Sequence, residues 1–172
     1  MNKKYHSPKE YQDAAKSELT SVSELAYLAK SEYNFVRLAA ANNPNITEEI
    51  LDSLIPLNFD SWNEQEISAA LTGNLKTSSQ TLKKLAQSLT SYLNSGRNND
   101  MAFIAGVNLF NHPNASIDSL KEVLSSGKIS VLFRRKIARE TKRKDVLDLL
   151  LKDKSEAVRK RASKNIELNF EN

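Results

Sequence analysis

The 172 residues contain no cysteine. Disulfides, thiolate metal sites, iron–sulfur ligation and a thiol nucleophile are excluded together. Histidine is nearly as scarce: His6 and His112 have no metal-ligand partner at helical spacing, so no metal and no cofactor are expected. Four Gly and four Pro are too few for collagen or a turn-rich sandwich. No sustained alternation and no Asn-Gly or Asp-Gly hairpin turn suggests a strand. No window reaches the roughly eighteen apolar residues of a membrane span. The start, Met1-Asn2-Lys3-Lys4-Tyr5-His6, is basic but leads into polar residues without the apolar core of a secretion signal. A soluble, cytoplasmic chain with no membrane partner is therefore expected.

Catalytic signatures are missing as well. There is no Gly-x-Ser-x-Gly elbow, no supported Ser-x-x-Lys and no phosphate-cradling Gly loop. Glu48, Glu49, Glu64 and Glu66 sit near helix starts, where carboxylates complement the macrodipole. His112 occupies a helix-terminal position that suits capping. The chain is expected not to be an enzyme and to hold no catalytic residue.

What is present is a repeat. Apolar residues make up 40% and charged residues 27%, enough for one folded domain of this length. A helix-ending Asn or His is followed by Pro or a substitute, then a hydroxyl residue, then Leu four positions later. Asn43-Pro44 leads to Thr47 and Leu51, Asn74-Leu75 to Ser78 and Leu82, His112-Pro113 to Ser116 and Leu120. The first Leu of each unit stands at 25, 51, 82, 120 and 147, which makes five units of uneven length. Val36, Ala39 and Ala40 make a narrow apolar stripe whose small residues permit close helix approach. Asn43 suits a left-handed helix terminus, with Pro44 preventing continuation. Thr47, Ser78 and Ser116 read as N-caps of the next helix, and Ser7–Glu10 and Ser21–Glu24 as capping boxes. Helices are expected to end near Asn43, Asn74, His112 and Asn165. One such helix pair cannot bury its stripe alone, so the pairs must stack. The expected fold is all-α: a short right-handed α-α superhelix, or solenoid, of about five helical repeats. It forms a single domain over 1–172, with a capping helix over 1–19 and repeats over 20–172.

The segments Val36-Arg37-Leu38-Ala39-Ala40-Ala41-Asn42-Asn43-Pro44 with Leu51 and Leu54, and Asp153 through Asn165, resemble leucine-rich repeat variant units. That family stacks helical repeats, similar in kind to HEAT and armadillo solenoids. The resemblance covers about residues 20–172 and is closest in the first and last units. It implies an architecture and a binding role, not a reaction. Founding members that carry an iron–sulfur cluster do so on a cysteine-rich segment that this chain lacks.

Charge is distributed unevenly. Residues 1–127 sum to −3, residues 128–164 to +9 and the last eight to −2. Within the basic stretch, Arg135, Arg139 and Lys142 share a helical face, Arg143 follows, and Arg161 with Lys164 fall together on the last helix. Clustered cations of one sign are the footprint of a polyanion. A polar end cap is the competing reading. The recurring Val36-Arg37 and Val158-Arg159, with Phe133-Arg134, favour structural arginines, because their placement repeats wherever packing repeats. The insertion Pro56–Glu64 holds the only Trp. Trp62 is a candidate partner anchor if exposed, and a core residue if it packs beside Phe59. The stretch Asn94–Asp100 reads as a polar loop.

The expected function is a non-catalytic interaction module that binds another macromolecule, a protein first, on the solenoid surface. The alternative is nucleic-acid backbone binding through the basic C-terminal face. A HEAT-like DNA-repair glycosylase is a weaker analogy of fold. The oligomeric state is not legible.

Overall fold

The computed structural model describes residues 5–94 and 100–170. Part of the Asn94–Asp100 stretch, residues 95–99, lies outside these, as does the basic start at 1–4. Every regular element among the described residues is helical. In order these are α1 (Pro8–Lys16), α2 (Val22–Leu28), α3 (Asn34–Ala41), α4 (Glu48–Ser53), α5 (Trp62–Gly73) and α6 (Ser79–Leu89). A 3₁₀ turn over Thr90–Asn94 precedes α7 (Met101–Asn111), α8 (Ile117–Ser125), α9 (Val131–Glu140), α10 (Lys144–Leu150) and α11 (Glu156–Phe170). The odd-numbered helices form a row in which α1 packs on α3, α3 on α5, α5 on α7, α7 on α9 and α9 on α11. Behind them α6 packs on α8 and α8 on α10. Leu25, Leu51, Leu82, Leu120 and Leu147 are all 0% exposed, one in each of α2, α4, α6, α8 and α10, as the Leu spacing demands.

The turn from each odd helix to the next even helix uses one recurring side-chain device. Ser17, Asn43, Asn74, His112 and Thr141 each accept a hydrogen bond from the backbone N–H two residues on, at 2.8–3.2 Å. Such turns mimic a backbone turn without a left-handed residue. This corrects the expectation for Asn43: among the described residues only Gly127 has positive φ, at 71°. The same residues also tie each unit to the one before. Asn43 Nδ2 donates to the carbonyls of Ala15 and Ser17, and Asn74 Nδ2 to that of Ala41. His112 Nε2 meets the Asn74 carbonyl, and Thr141 Oγ1 donates to that of Phe110. Asn165 Nδ2 likewise donates to the carbonyls of Ala138, Arg139 and Thr141, as Asn43 does to those of Ala15 and Ser17. Its helix does not end there, however. α11 runs on to Phe170, because nothing at Asn165 blocks the next turn.

The N-caps follow the sequence with two differences. Ser7, Ser21, Ser78 and Ser116 accept from the N–H three residues on. Thr47 stands at its cap position without that bond, and its hydroxyl instead lowers the pKa of the Glu49 carboxyl. The full reciprocal box occurs at Ser61–Glu64, while Glu10 returns to the N–H of His6 rather than Ser7.

Candidate interaction surface

α9 buries Phe133, Arg134, Ile137 and Ala138 against its neighbours, which leaves Arg135 and Arg139 on the open side. α11 buries Val158, Ala162, Asn165 and Ile166, so Arg161 falls at the edge of the seam and Lys164 in solvent. The structure thereby brings Arg135, Arg139 and Arg161 together around a shallow depression of ≈ 70 Å³ between the two helices. Leu132 and Lys136, which the basic run alone did not single out, complete its lining. Arg139 pairs with Glu140, and Lys136 Nζ reaches the same carboxylate at 3.3 Å. Partial burial pushes the Glu140 carboxyl up, but the bonds from Arg139 and Lys136 outweigh it and hold the group below its ordinary pKa. Arg135 and Arg161 make no ion pair with any described residue. The ammonium groups of Lys142 and Lys164 also make no ion pair with a described residue, although neither residue lines the depression.

Arg143 is used differently. Its Nη1 donates to the carbonyls of His112 and Ala115 at 2.9 and 2.7 Å, and its Nε and Nη2 grip Asp145 at 3.1 and 2.6 Å. The guanidinium is a strut between successive turns, and its bonds lower the Asp145 pKa against partial burial. Arg37 and Arg159 are structural as their repetition suggests. Each Nη1 donates to the carbonyls six and five residues earlier, Ser31 and Glu32 or Asp153 and Lys154, at 2.7–3.2 Å. Gln65 makes the equivalent bond to the Phe59 carbonyl at 2.9 Å. Arg134 bonds the Ile129 carbonyl and forms a two-pronged pair with Asp153, both side chains under 10% exposed.

Trp62 opens α5 and is 55% exposed, while Phe59 is the residue that packs inside. Phe35, Ile104, Val131 and Leu132 are also exposed, each in the first turn of α3, α7 or α9. The N-terminal turns of four consecutive odd helices thus present apolar side chains on one edge, which reaches the basic depression at Leu132. At the other end of the row, four of the five tyrosines gather, which no spacing in the sequence signals. Tyr5, Tyr11, Tyr27 and Tyr33 line a cavity of ≈ 320 Å³. The Tyr11 and Tyr27 hydroxyls lie 3.3 Å apart, and that bond, with burial and the Glu32 charge, pushes the Tyr11 phenol up to about 12.

Among the described residues no cluster of His, Asp and Glu could hold a metal ion, and no helix is long and apolar enough to cross a membrane. Comparison with family models, curated proteins and solved structures returned no match.

Proposed function

We propose that this chain is a non-catalytic interaction module: a short, cytoplasmic α-solenoid of the leucine-rich repeat variant type that binds an acidic protein partner on its odd-helix face. The recurring turn device supports five helix pairs, α1–α2 through α9–α10, with α11 closing the row. On this reading α1 belongs to the first repeat rather than to a cap, since Ser17 makes the same turn bond as Asn43.

The observation that carries the binding role is the convergence of Arg135, Arg139 and Arg161 beside exposed Leu132, at the end of the apolar edge that holds Trp62. A partner that offers carboxylates and apolar side chains satisfies both features. Phosphate backbone satisfies one. Nucleic acid remains the second reading because Arg135, Arg161, Lys142 and Lys164 carry uncompensated charge.

The test is a titration of labelled polyglutamate and labelled duplex DNA at low and moderate salt. Polyglutamate is expected to bind, and Arg135→Glu with Arg139→Glu and Arg161→Glu to abolish it. DNA binding whose log–log salt slope is roughly −0.9 per phosphate contact would favour the second reading. Binding unchanged by the triple reversal would show the patch to be a solvated end.

A further inference from the structure

A further concave surface lies on the even-helix side, between α8 and α10. Its volume is ≈ 370 Å³, and Leu124, Leu149 and Leu150 form its apolar floor. That is near the low end of ligand pockets, about 300–1,000 Å³, with room for a few apolar side chains. Three exposed lysines, Lys121, Lys152 and Lys154, stand on its rim, and none makes an ion pair with a described residue. The one acidic residue in the lining, Asp153, is fully spent: its carboxylate takes both prongs of Arg134 and the N–H of Ser155 at 2.8 Å. The rim is also held in place, since Arg159 grips the carbonyls of Asp153 and Lys154. A rim already ordered loses little entropy when a ligand arrives.

We infer that this groove docks a segment of a partner protein that carries acidic residues around a large apolar anchor such as Leu, Ile or Phe. The charge is complementary: free cations ring the groove, and no free carboxylate among its lining residues answers them. The leucine floor selects the anchor, because burying it removes apolar area from water on both sides. Nucleic acid would meet the lysines but leave that floor wet. The inference rests on the chain being a binding module and uses a different face from the α9–α11 depression.

The experiment pans a phage-displayed random-peptide library against the immobilised full chain, then titrates the enriched peptide, fluorescently labelled, by anisotropy. Enriched sequences are expected to join Asp or Glu to Leu, Ile or Phe, and replacing the apolar anchor by Ser should abolish binding. Lys121→Glu with Lys152→Glu and Lys154→Glu should weaken it roughly tenfold or more, as loss of rim charge complementarity does. The triple lysine-to-alanine variant should weaken it less. All three positions are exposed, and an unchanged thermal melt checks the fold. Arg135→Glu with Arg139→Glu and Arg161→Glu should leave it unaffected. No enrichment, enriched peptides without acidic residues, or affinity indifferent to the lysine reversals would overturn the inference. Loss only in the arginine variant would place the segment on α9–α11, overturning this inference while leaving the proposed function standing.

Discussion

Asn43 is 2% exposed, and both ends of its amide are used. Nδ2 donates to Ala15 and Ser17 at 2.8 and 2.9 Å, and Oδ1 accepts from the Asn45 N–H at 2.8 Å. One side chain therefore shapes its own turn and fixes the register to the preceding unit. Asn43→Ala should cost about 1–3 kcal/mol, because buried carbonyls lose their donor and water cannot replace it. Asn43→Asp should cost at least as much near neutral pH, since a carboxylate cannot donate to those carbonyls. Urea titrations of both variants measure this, and a loss below about 0.5 kcal/mol would mean that the neighbouring turns hold register without it.

At the scale of an element, α7 approaches α9 so closely that one glycine is required. A Cβ on Gly106 would lie 2.7 Å from Leu93 Cδ2 and from Phe133 Cζ. Phe133 cannot give way easily: it is 0% exposed and wedged edge-on against Phe103 and Phe110, with centroids at 4.8 and 5.9 Å. Gly106→Ala gains up to about 1 kcal/mol of helix propensity, but overpacking costs about 1–3 kcal/mol, so the variant should be less stable overall. Gly73 is the contrast. Its added Cβ would meet only the tip of Asn108, at 3.3 Å, so Gly73→Ala should stay within about 0.5 kcal/mol of the parent. A calorimetric melt of the two variants side by side tests the difference.

Over the whole molecule the core is two clusters that share helices. α6 sends Leu85 and Leu89 to the N-terminal cluster and Leu82 and Ala86 to the C-terminal one, and α7 divides its residues likewise. The centre is thus covered from both sides, whereas α1 and α11 each have one neighbour in the row. In the proposed stack of repeats, stability is the sum of each unit and its interfaces, so the ends open first. Amide exchange should be slowest in α5–α7 and fastest in α1 and α11. Uniform protection along the chain would instead indicate a single all-or-none unit.

The all-helical character, the burial of Leu25, Leu51, Leu82, Leu120 and Leu147, and the capping serines are determined by the sequence itself. Each depends on residues within about a turn of one another, through the 3.6-residue period and the reach of a hydroxyl to the third N–H. The structural use of Arg37 and Arg159 was legible for the same reason, since their acceptors lie five and six residues away. The remaining features depend on groups far apart in the chain. Arg143 and Arg135 look alike in the basic run. One meets carbonyls 31 and 28 residues earlier, whereas the other has no hydrogen bond or ion pair among the described residues, and only the packing of neighbouring helices decides which cation stays free. Asn165 copies Asn43 in every bond to the preceding unit, yet its helix continues, because those bonds are tertiary and do not oppose the next backbone turn. Trp62 and Phe59 are three residues apart and both aromatic, yet Phe59 packs inside against Tyr92 of the 3₁₀ turn while Trp62 stays in solvent. Periodicity and capping act within a helix, whereas the exposure of a charge or an aromatic ring depends on which helix arrives beside it.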